Sequence, residues 1–273
     1  MEPSQSDPKR LVIDRKIGNY HWSTQQKISN KVYLGHDIGN KIMVAIKLLD
    51  INEAKAREKE IKVMQMLKGQ ENTVNTLEIL QTKNSFILIE EFCNGGDMRM
   101  YIRRKGGILS EQRAKVLLNH ILISMKTMKN VNLVHRNIKP ENFLFKDRFF
   151  KIRNFSSSKI LTDYETEEMN EQLGTPIYMS PQILRKLPYT YKTDIWSIGV
   201  LYYEMIFGRP PWGGNSEESL LFNITNTSLV IPPNIKVSSE SLDFIFGCLQ
   251  IDESKRFTLA AIFNHPISKS AVV

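Results

Sequence analysis

Short segments rich in β-branched and aromatic residues fill the first third of the chain, from about residue 11 to residue 92. Such segments are typical of strands, here of an antiparallel sheet. One stretch differs, because residues 51–68 place Ile61, Met64 and Leu67 at helical spacing among Lys and Glu, which predicts one amphipathic helix. The clearest predicted strands are residues 31–34, 42–49 and 85–89.

Helical spacing takes over after Gly95 and Gly96. Residues 110–128 carry apolar positions along one face, and residues 194–207 are almost entirely apolar, which predicts a buried helix. The pattern indicates an α+β protein with two lobes, a small sheet lobe and a larger helical lobe, and a ligand cleft is expected between them. The predicted boundaries are a tail at 1–10, a first lobe at 11–92, a hinge at 93–96, a second lobe at 97–268 and a tail at 269–273.

Composition narrows the class of protein. The 273 residues are 41% hydrophobic and 24% charged, as in ordinary globular domains and unlike disordered chains. The two cysteines are far apart, so neither a disulfide framework nor a zinc site is expected, and a reducing compartment is favoured. The first residues lack a signal peptide, and residues 195–207 are too short to span a bilayer. We therefore expect no transmembrane segment and a cytoplasmic or other reducing intracellular location.

The formal net charge of +8 permits attraction to phosphates, acidic protein surfaces or anionic membranes. The basic residues are dispersed along the chain, which favours a mixed solvated surface. No nucleic-acid partner is expected.

The segment His135-Arg136-Asn137-Ile138-Lys139-Pro140-Glu141-Asn142 resembles the catalytic loop of protein kinases, with asparagine at the place of the aspartate. Other segments resemble further kinase motifs in the right order, over about residues 11–266. The chain is similar to serine/threonine kinases, including autophagy-initiating and calcium/calmodulin-dependent types. The matching segments are Val44-Ala45-Ile46-Lys47, Glu60 in the next helix, Asn154-Phe155-Ser156 in place of Asp-Phe-Gly, Ser180-Pro181-Gln182 in place of Ala-Pro-Glu, Asp194-Ile195-Trp196-Ser197-Ile198-Gly199, and Arg256.

The resemblance assigns roles to individual residues. Asn137 stands at the catalytic base position, but a neutral amide accepts a hydrogen bond without being a useful proton acceptor. The loss of a general base typically lowers the rate by about 10²- to 10⁴-fold. Lys139 is expected to meet a phosphate, and Asn142 and Asn154 occupy the metal positions, where the charged ligand that Mg²⁺ prefers is missing. The implied cofactor-binding residues are Lys47 with its ion-pair partner Glu60, then Val32, Ala45, Leu144, Glu91 and Cys93.

The phosphate-binding loop of kinases normally carries three glycines, and here it is hard to find. Counting back from Lys47 puts Gln25, Lys27 and Asn30 at the glycine positions. If Gly18 is instead the first glycine, Tyr20 and Ser23 take the other two places. Either alignment loses at least two glycines.

Three further departures from the kinase pattern bear on function. Glu90 aligns with the gatekeeper position, where a partly buried carboxylate argues against ordinary ATP binding. Gln182 replaces the acid that usually pairs with Arg256, so we expect an undercompensated arginine and a rearranged docking segment unless other acceptors are found. Candidate phosphorylation sites that could pair with Arg136 are Thr162, Tyr164 and Thr166, although an exposed acidic loop fits this segment equally well.

The preferred hypothesis is a pseudokinase that acts as a scaffold or allosteric partner of other proteins. One alternative is an atypical active serine/threonine kinase, and another is a metal-independent nucleotide sensor. ATP is the candidate cofactor and magnesium a doubtful one. The sequence leaves the oligomeric state, the partners and the kinase subfamily open.

Overall fold

The computed structural model describes residues 14–29, 31–50, 58–83 and 85–269. Asn30, the first part of the predicted helix at 51–57, the predicted tail at 1–10 and residues 270–273 of the other tail lie outside the described residues. The chain divides into two compact units, Met1–Gly69 with Val74–Cys93, and Gln70–Thr73 with Asn94–Val273. The division falls within residues 93–96, while the proposed domain boundaries themselves stay a prediction. No helix among the described residues is long and apolar enough to cross a bilayer.

The first unit is a six-stranded antiparallel sheet with the order β1-β2-β3-β4-β6-β5. Its strands are β1 (Arg15–Ile17), β2 (Tyr20–Ser29), β3 (Val32–Asp37), β4 (Ile42–Asp50), β5 (Thr76–Gln81) and β6 (Ser85–Glu91). The three clearest predicted strands are therefore confirmed as β3, β4 and β6. The core is apolar because Val44, Ile46, Ile87 and Ile89 pack with residues of β2.

A single described helix, α1 (Glu58–Met66), accompanies this sheet. It forms the second half of the predicted amphipathic helix and ends two residues earlier than expected. Val63, Met64 and Leu67 are buried, whereas most Lys and Glu side chains are exposed. Glu60 is the exception, since only 4% of its surface is exposed.

The second unit is mainly helical, as the spacing predicts. Its helices are α2 (Met98–Arg104), α3 (Glu111–Lys129), α4 (Pro181–Leu184), α5 (Lys192–Phe207), α6 (Glu217–Asn226), α7 (Ser239–Cys248), α8 (Leu259–Asn264) and α9 (Pro266–Lys269). Two small two-stranded sheets pair β7 (Leu133–Val134) with β10 (Lys159–Ile160), and β8 (Phe143–Lys146) with β9 (Phe149–Ile152). Helix α5 is buried along nearly its whole length, which confirms the prediction for residues 194–207.

Candidate active site

The first group of candidate residues lies on β3, β4 and α1. The Lys47 Nζ atom lies 3.0 Å from the Glu60 Oε1 atom, and 18% and 3% of the two side chains are exposed. The predicted ion pair is thus present within the first unit. Val32 is opposite Lys47 in the register, and Ala45 is half-buried two residues before it. The nucleotide-binding roles of these four residues stay a prediction.

The candidate residues at the end of β6 are buried or half-buried, and one of them makes a contact that supports the sheet. Glu91 is buried, and its Oε1 atom accepts a hydrogen bond from the backbone N–H of Asn75 at 2.8 Å. Cys93 is buried and Glu90 is half-buried. The carboxylate of Glu91 therefore supports the sheet, and cofactor binding by Glu91 and Cys93 remains a prediction.

The strands show where each of the two alignments of the glycine-poor loop places its residues. Gly18 lies in the turn between β1 and β2, with φ +54°, and the side chains of Tyr20 and Ser23 are buried within β2. Gln25 and Lys27 lie near the end of β2, where the pairing with β3 becomes irregular. The structure therefore favours the alignment through Gln25 and Lys27 over the one through Gly18, and Asn30 of that alignment is outside the described residues.

The second group of candidates belongs to the loop before β8. Asp194 at the start of α5 accepts hydrogen bonds from the backbone N–H groups of His135 at 2.7 Å and Arg136 at 2.8 Å. Burial raises the pKa of Asp194 to about 6, although both N–H donors act in the opposite direction. Arg136 has φ +62°, so these two bonds hold a left-handed conformation that costs energy in a side-chain-bearing residue. This anchor fixes the loop that carries Asn137 and Lys139.

Thr175 joins the two predicted catalytic positions. Its Oγ1 atom donates to Asn137 Oδ1 at 3.0 Å and accepts from Lys139 Nζ at 2.8 Å. The preceding Gly174 has φ +125°, and a Cβ atom there would lie 2.8 Å from the Arg136 carbonyl oxygen. Only glycine lets the chain pass so close. The sequence analysis assigned no role to Thr175.

The two metal positions contact each other. Asn154 Nδ2 donates to Asn142 Oδ1 at 3.3 Å, and Asn154 Oδ1 accepts from Ser156 Oγ at 3.0 Å. Asn142 Nδ2 donates to the Asn137 carbonyl oxygen at 2.8 Å. Both amide oxygens therefore have hydrogen-bond donors, and neither residue carries the charge that Mg²⁺ prefers. As they stand, these residues offer a divalent cation only neutral amide oxygens. Among the described residues, no group of three or more His, Cys, Asp or Glu could hold a metal ion.

The segment between Ser156 and Thr175 is held in place by contacts with acidic and aromatic side chains. Arg136 Nη1 lies 2.9 Å from Glu171 Oε2, and Arg136 Nε donates to the Ser157 carbonyl oxygen at 2.6 Å. The Tyr164 side chain is buried and stacks on Tyr191 with ring centroids 4.7 Å apart. The expectation for Tyr164 is therefore corrected, because a buried tyrosine is not accessible for phosphorylation.

Arg136 already forms an ion pair with Glu171. Thr162 and Thr166 are exposed, so their modification stays a prediction.

The expectation of an undercompensated Arg256 is also corrected. The guanidinium donates to Gln182 Oε1 at 2.9 Å, to the Lys192 carbonyl oxygen at 3.1 Å and to the Gln250 carbonyl oxygen at 2.9 Å. It also lies over the Trp196 ring, 5.2 Å from the centroid. Burial lowers the pKa of Arg256 to about 10. Arg256 Nη1 also lies 3.5 Å from Glu253 Oε1, so this acid and the backbone carbonyl oxygens compensate the guanidinium beside the neutral Gln182.

A sheet unit with a Lys–Glu ion pair and a helical unit with an anchored catalytic loop define a protein of the kinase class. Comparison with known families agrees, since a model of the protein kinase domain matches residues 28–268. The chain belongs to the protein kinase family. Membership of this family implies an ATP site.

Several curated relatives are similar over most of this chain. Serine/threonine-protein kinase atg1 of Dictyostelium discoideum is 32% identical over 269 residues, which cover 93% of this chain and 38% of the relative. Myosin light chain kinase A of the same organism is 33% identical over 249 residues, covering 88% of this chain and 83% of the relative. Calcium-dependent protein kinase 3 of Plasmodium yoelii yoelii is 33% identical, covering 86% and 45%. The chain spans less than half the length of the first and third of these.

Proposed function

We propose that this chain is a serine/threonine protein-kinase domain that binds ATP and transfers its terminal phosphate slowly to hydroxyl groups of protein substrates. The observation that carries the proposal is the assembled Asn137–Thr175–Lys139 network. The relatives are all named as kinases, which supports this interpretation over the preferred sequence hypothesis of a pseudokinase.

The network assigns a limited role to each side chain. Asn137 offers an amide oxygen that can orient the attacking hydroxyl, and Lys139 offers a positive charge to the transferring phosphate. Within the first unit, Lys47, held by Glu60, is the candidate nucleotide contact. A new bond forms between the hydroxyl oxygen and the γ-phosphorus while the bond to the ADP oxygen breaks. The hydroxyl proton passes to a phosphate oxygen or to water, because Asn137 cannot take it. We expect a rate about 10²- to 10⁴-fold below that of a carboxylate-bearing kinase.

A second candidate function rests on a different observation. The hydrogen bond between Asn154 and Asn142 occupies the metal positions with neutral amides, which makes magnesium doubtful as a cofactor. On this basis the chain is a pseudokinase that serves other proteins as a scaffold or allosteric partner. If ATP binds without metal, the same observation fits a nucleotide sensor.

One set of measurements separates these functions. Thermal unfolding is recorded with and without ATP, each in the presence and absence of magnesium, and phosphate transfer from labelled ATP to mixed protein substrates is measured in parallel. The test variant is Lys47→Ala, which removes the candidate nucleotide contact. The matched control is Lys59→Ala, which changes an exposed lysine on α1.

Magnesium-dependent transfer that Lys47→Ala abolishes and Lys59→Ala retains is the result expected of a kinase. Stabilisation by ATP alone, without transfer, would identify a sensor. If ATP neither stabilises the chain nor supports phosphate transfer, the scaffold function remains.

A further inference from the structure

Two histidines face each other across neighbouring strands of the first unit. His21 on β2 pairs directly with His36 on β3, and His36 in turn pairs with Met43 on β4. All three side chains are half-buried. No hydrogen bond or ion pair joins either imidazole to another described residue. We call His21, His36 and Met43 the donor row.

The strand register places the donor row on one face of the sheet. Side chains alternate between the two faces along a strand, and directly paired residues share a face. Tyr20 and Trp22, on either side of His21, pack in the buried core, so the donor row lies on the opposite face. Lys47 is on the same face as Met43, four residues further along β4. At about 3.3 Å per residue the two are about 13 Å apart, so the donor row is separate from the candidate nucleotide contact.

The spacing of the two histidines suits a metal ion that both imidazoles bind. Residues paired across antiparallel strands have Cβ atoms about 4.5–5.5 Å apart. A metal with bonds of about 2.0 Å to two imidazole nitrogens needs those nitrogens about 3–4 Å apart, which rotation of the two side chains supplies. Because paired strands already hold the histidines together, binding costs little conformational entropy. Copper heads the affinity order of divalent metals for nitrogen ligands, and a thioether such as that of Met43 favours its reduced form, Cu(I).

We propose that the donor row is a binding site for Cu(I), with one imidazole nitrogen from His21, one from His36 and the sulfur of Met43 as ligands. The third donor is a thioether, so the site differs in kind from clusters of three or more His, Cys, Asp or Glu, of which the described residues hold none. Bound copper would fasten β2, β3 and β4 to one another. The site does not depend on the proposed kinase function.

One charge on the same face acts against the proposed ion. Lys16 on β1 pairs with His21, and its ammonium group repels a cation bound there. The side chain of Lys16 is exposed and long enough to turn its charge toward solvent. Lys16→Ala should therefore tighten copper binding.

The test measures the Cu(I) affinity of the full chain, without oxygen, by competition with the coloured chelator bicinchoninate. The variants His21→Gln, His36→Gln and Met43→Leu each remove one donor and keep a side chain of similar size. The matched controls are His120→Gln, which changes a half-buried histidine on α3, and Met66→Leu, which changes an exposed methionine on α1. Thermal unfolding without copper shows whether each variant is folded.

The natural chain should bind one copper ion per chain. Loss of any one donor should weaken the affinity at least about tenfold, whereas each control should change it less than about twofold. Copper should also raise the melting temperature of the natural chain and not that of the histidine variants, because a ligand that binds only the folded chain stabilises it. Cys93 and Cys248 are 8% and 0% exposed, so neither thiol competes for copper in the folded chain.

Three results would contradict the proposal. A natural chain that binds no copper would overturn the site, and so would an affinity that His21→Gln and His36→Gln leave unchanged. If both histidine variants lose copper while Met43→Leu binds it as tightly as the natural chain, the thioether is not a ligand and the preference for Cu(I) is overturned.

Discussion

The contact between Asn154 and Asn142 predicts how the domain should respond to the carboxylate that kinases have at position 154. Asn154→Asp replaces the amide nitrogen that donates to Asn142 Oδ1 with an oxygen. Asn142 cannot turn its own nitrogen toward the new carboxylate without losing the bond from its Nδ2 atom to the Asn137 carbonyl oxygen at 2.8 Å. Two oxygens would then face each other at the present 3.3 Å.

The size of the effect follows from this geometry. Loss of a hydrogen bond together with an unmatched acceptor costs about 2 kcal/mol, which lowers the melting temperature of a domain of this size by about 4–8 °C. Adjacent ligands of an octahedral Mg²⁺ ion with bonds of about 2.1 Å lie about 3.0 Å apart. The facing oxygens are close to that spacing. Magnesium should therefore restore most of the lost stability in the variant and little in the natural chain.

The assay is thermal unfolding in EDTA and in magnesium chloride at matched ionic strength. Asn234→Asp is the control, because it makes the same amide-to-carboxylate change on an exposed side chain away from the Asn154 contacts. The reasoning is refuted if Asn154→Asp melts like the natural chain in EDTA, or if magnesium stabilises Asn234→Asp as much as Asn154→Asp.

Three further predictions concern the second unit. Gln182→Ala should lower the free energy of unfolding by about 2–4 kcal/mol in urea, because the bonds to Arg256 and to a backbone carbonyl are lost, and a smaller loss than 1 kcal/mol would contradict this. Glu171→Gln should speed limited proteolysis of residues 162–172 by freeing Arg136; unchanged cleavage would show that the ion pair does not hold the segment. Burial acts to raise the pKa of Glu111, but serine and lysine donors lower it to about 2, so its stabilising contribution should be present above its ordinary pKa of about 4.5 and fall away between pH 4.5 and 2. Urea unfolding of Glu111→Gln should lack that part of the pH dependence, and an unchanged profile would argue against it.

The sequence predicts those parts of the fold that depend on local pattern. The apolar run at α5 and the strands β4 and β6 can be found from it because burial imposes a composition that is visible residue by residue. Strand β2 is less visible, since polar residues such as Gln25 and Lys27 occupy its exposed end. Motif order also locates Asn137 and Lys139 in the catalytic loop.

The contacts of the site could not be predicted in the same way. The bond between Asn154 and Asn142 depends on the rotation of two amides, and Arg99 donates to Glu204, which lies 105 positions further along the chain. Nothing in the local pattern around Arg99 distinguishes it from the exposed Arg103 on the same helix. The compensation of Arg256 rests on Glu253 and on backbone carbonyl oxygens, whose directions a sequence does not show.

The three amides at acid positions are not equivalent, and their contacts predict the order in which function could be restored. Asn137 offers its oxygen to Thr175, a contact that aspartate would also make. Asn154 and Gln182 use their nitrogens as donors as well, to Asn142 and to the Ile251 carbonyl oxygen. An acid at either of these two positions would place oxygen against oxygen. The domain has thus adapted to amides at 154 and 182. A carboxylate at 137 is therefore the change that the fold should accept at least cost. That single change would return a proton acceptor without returning a charged metal ligand.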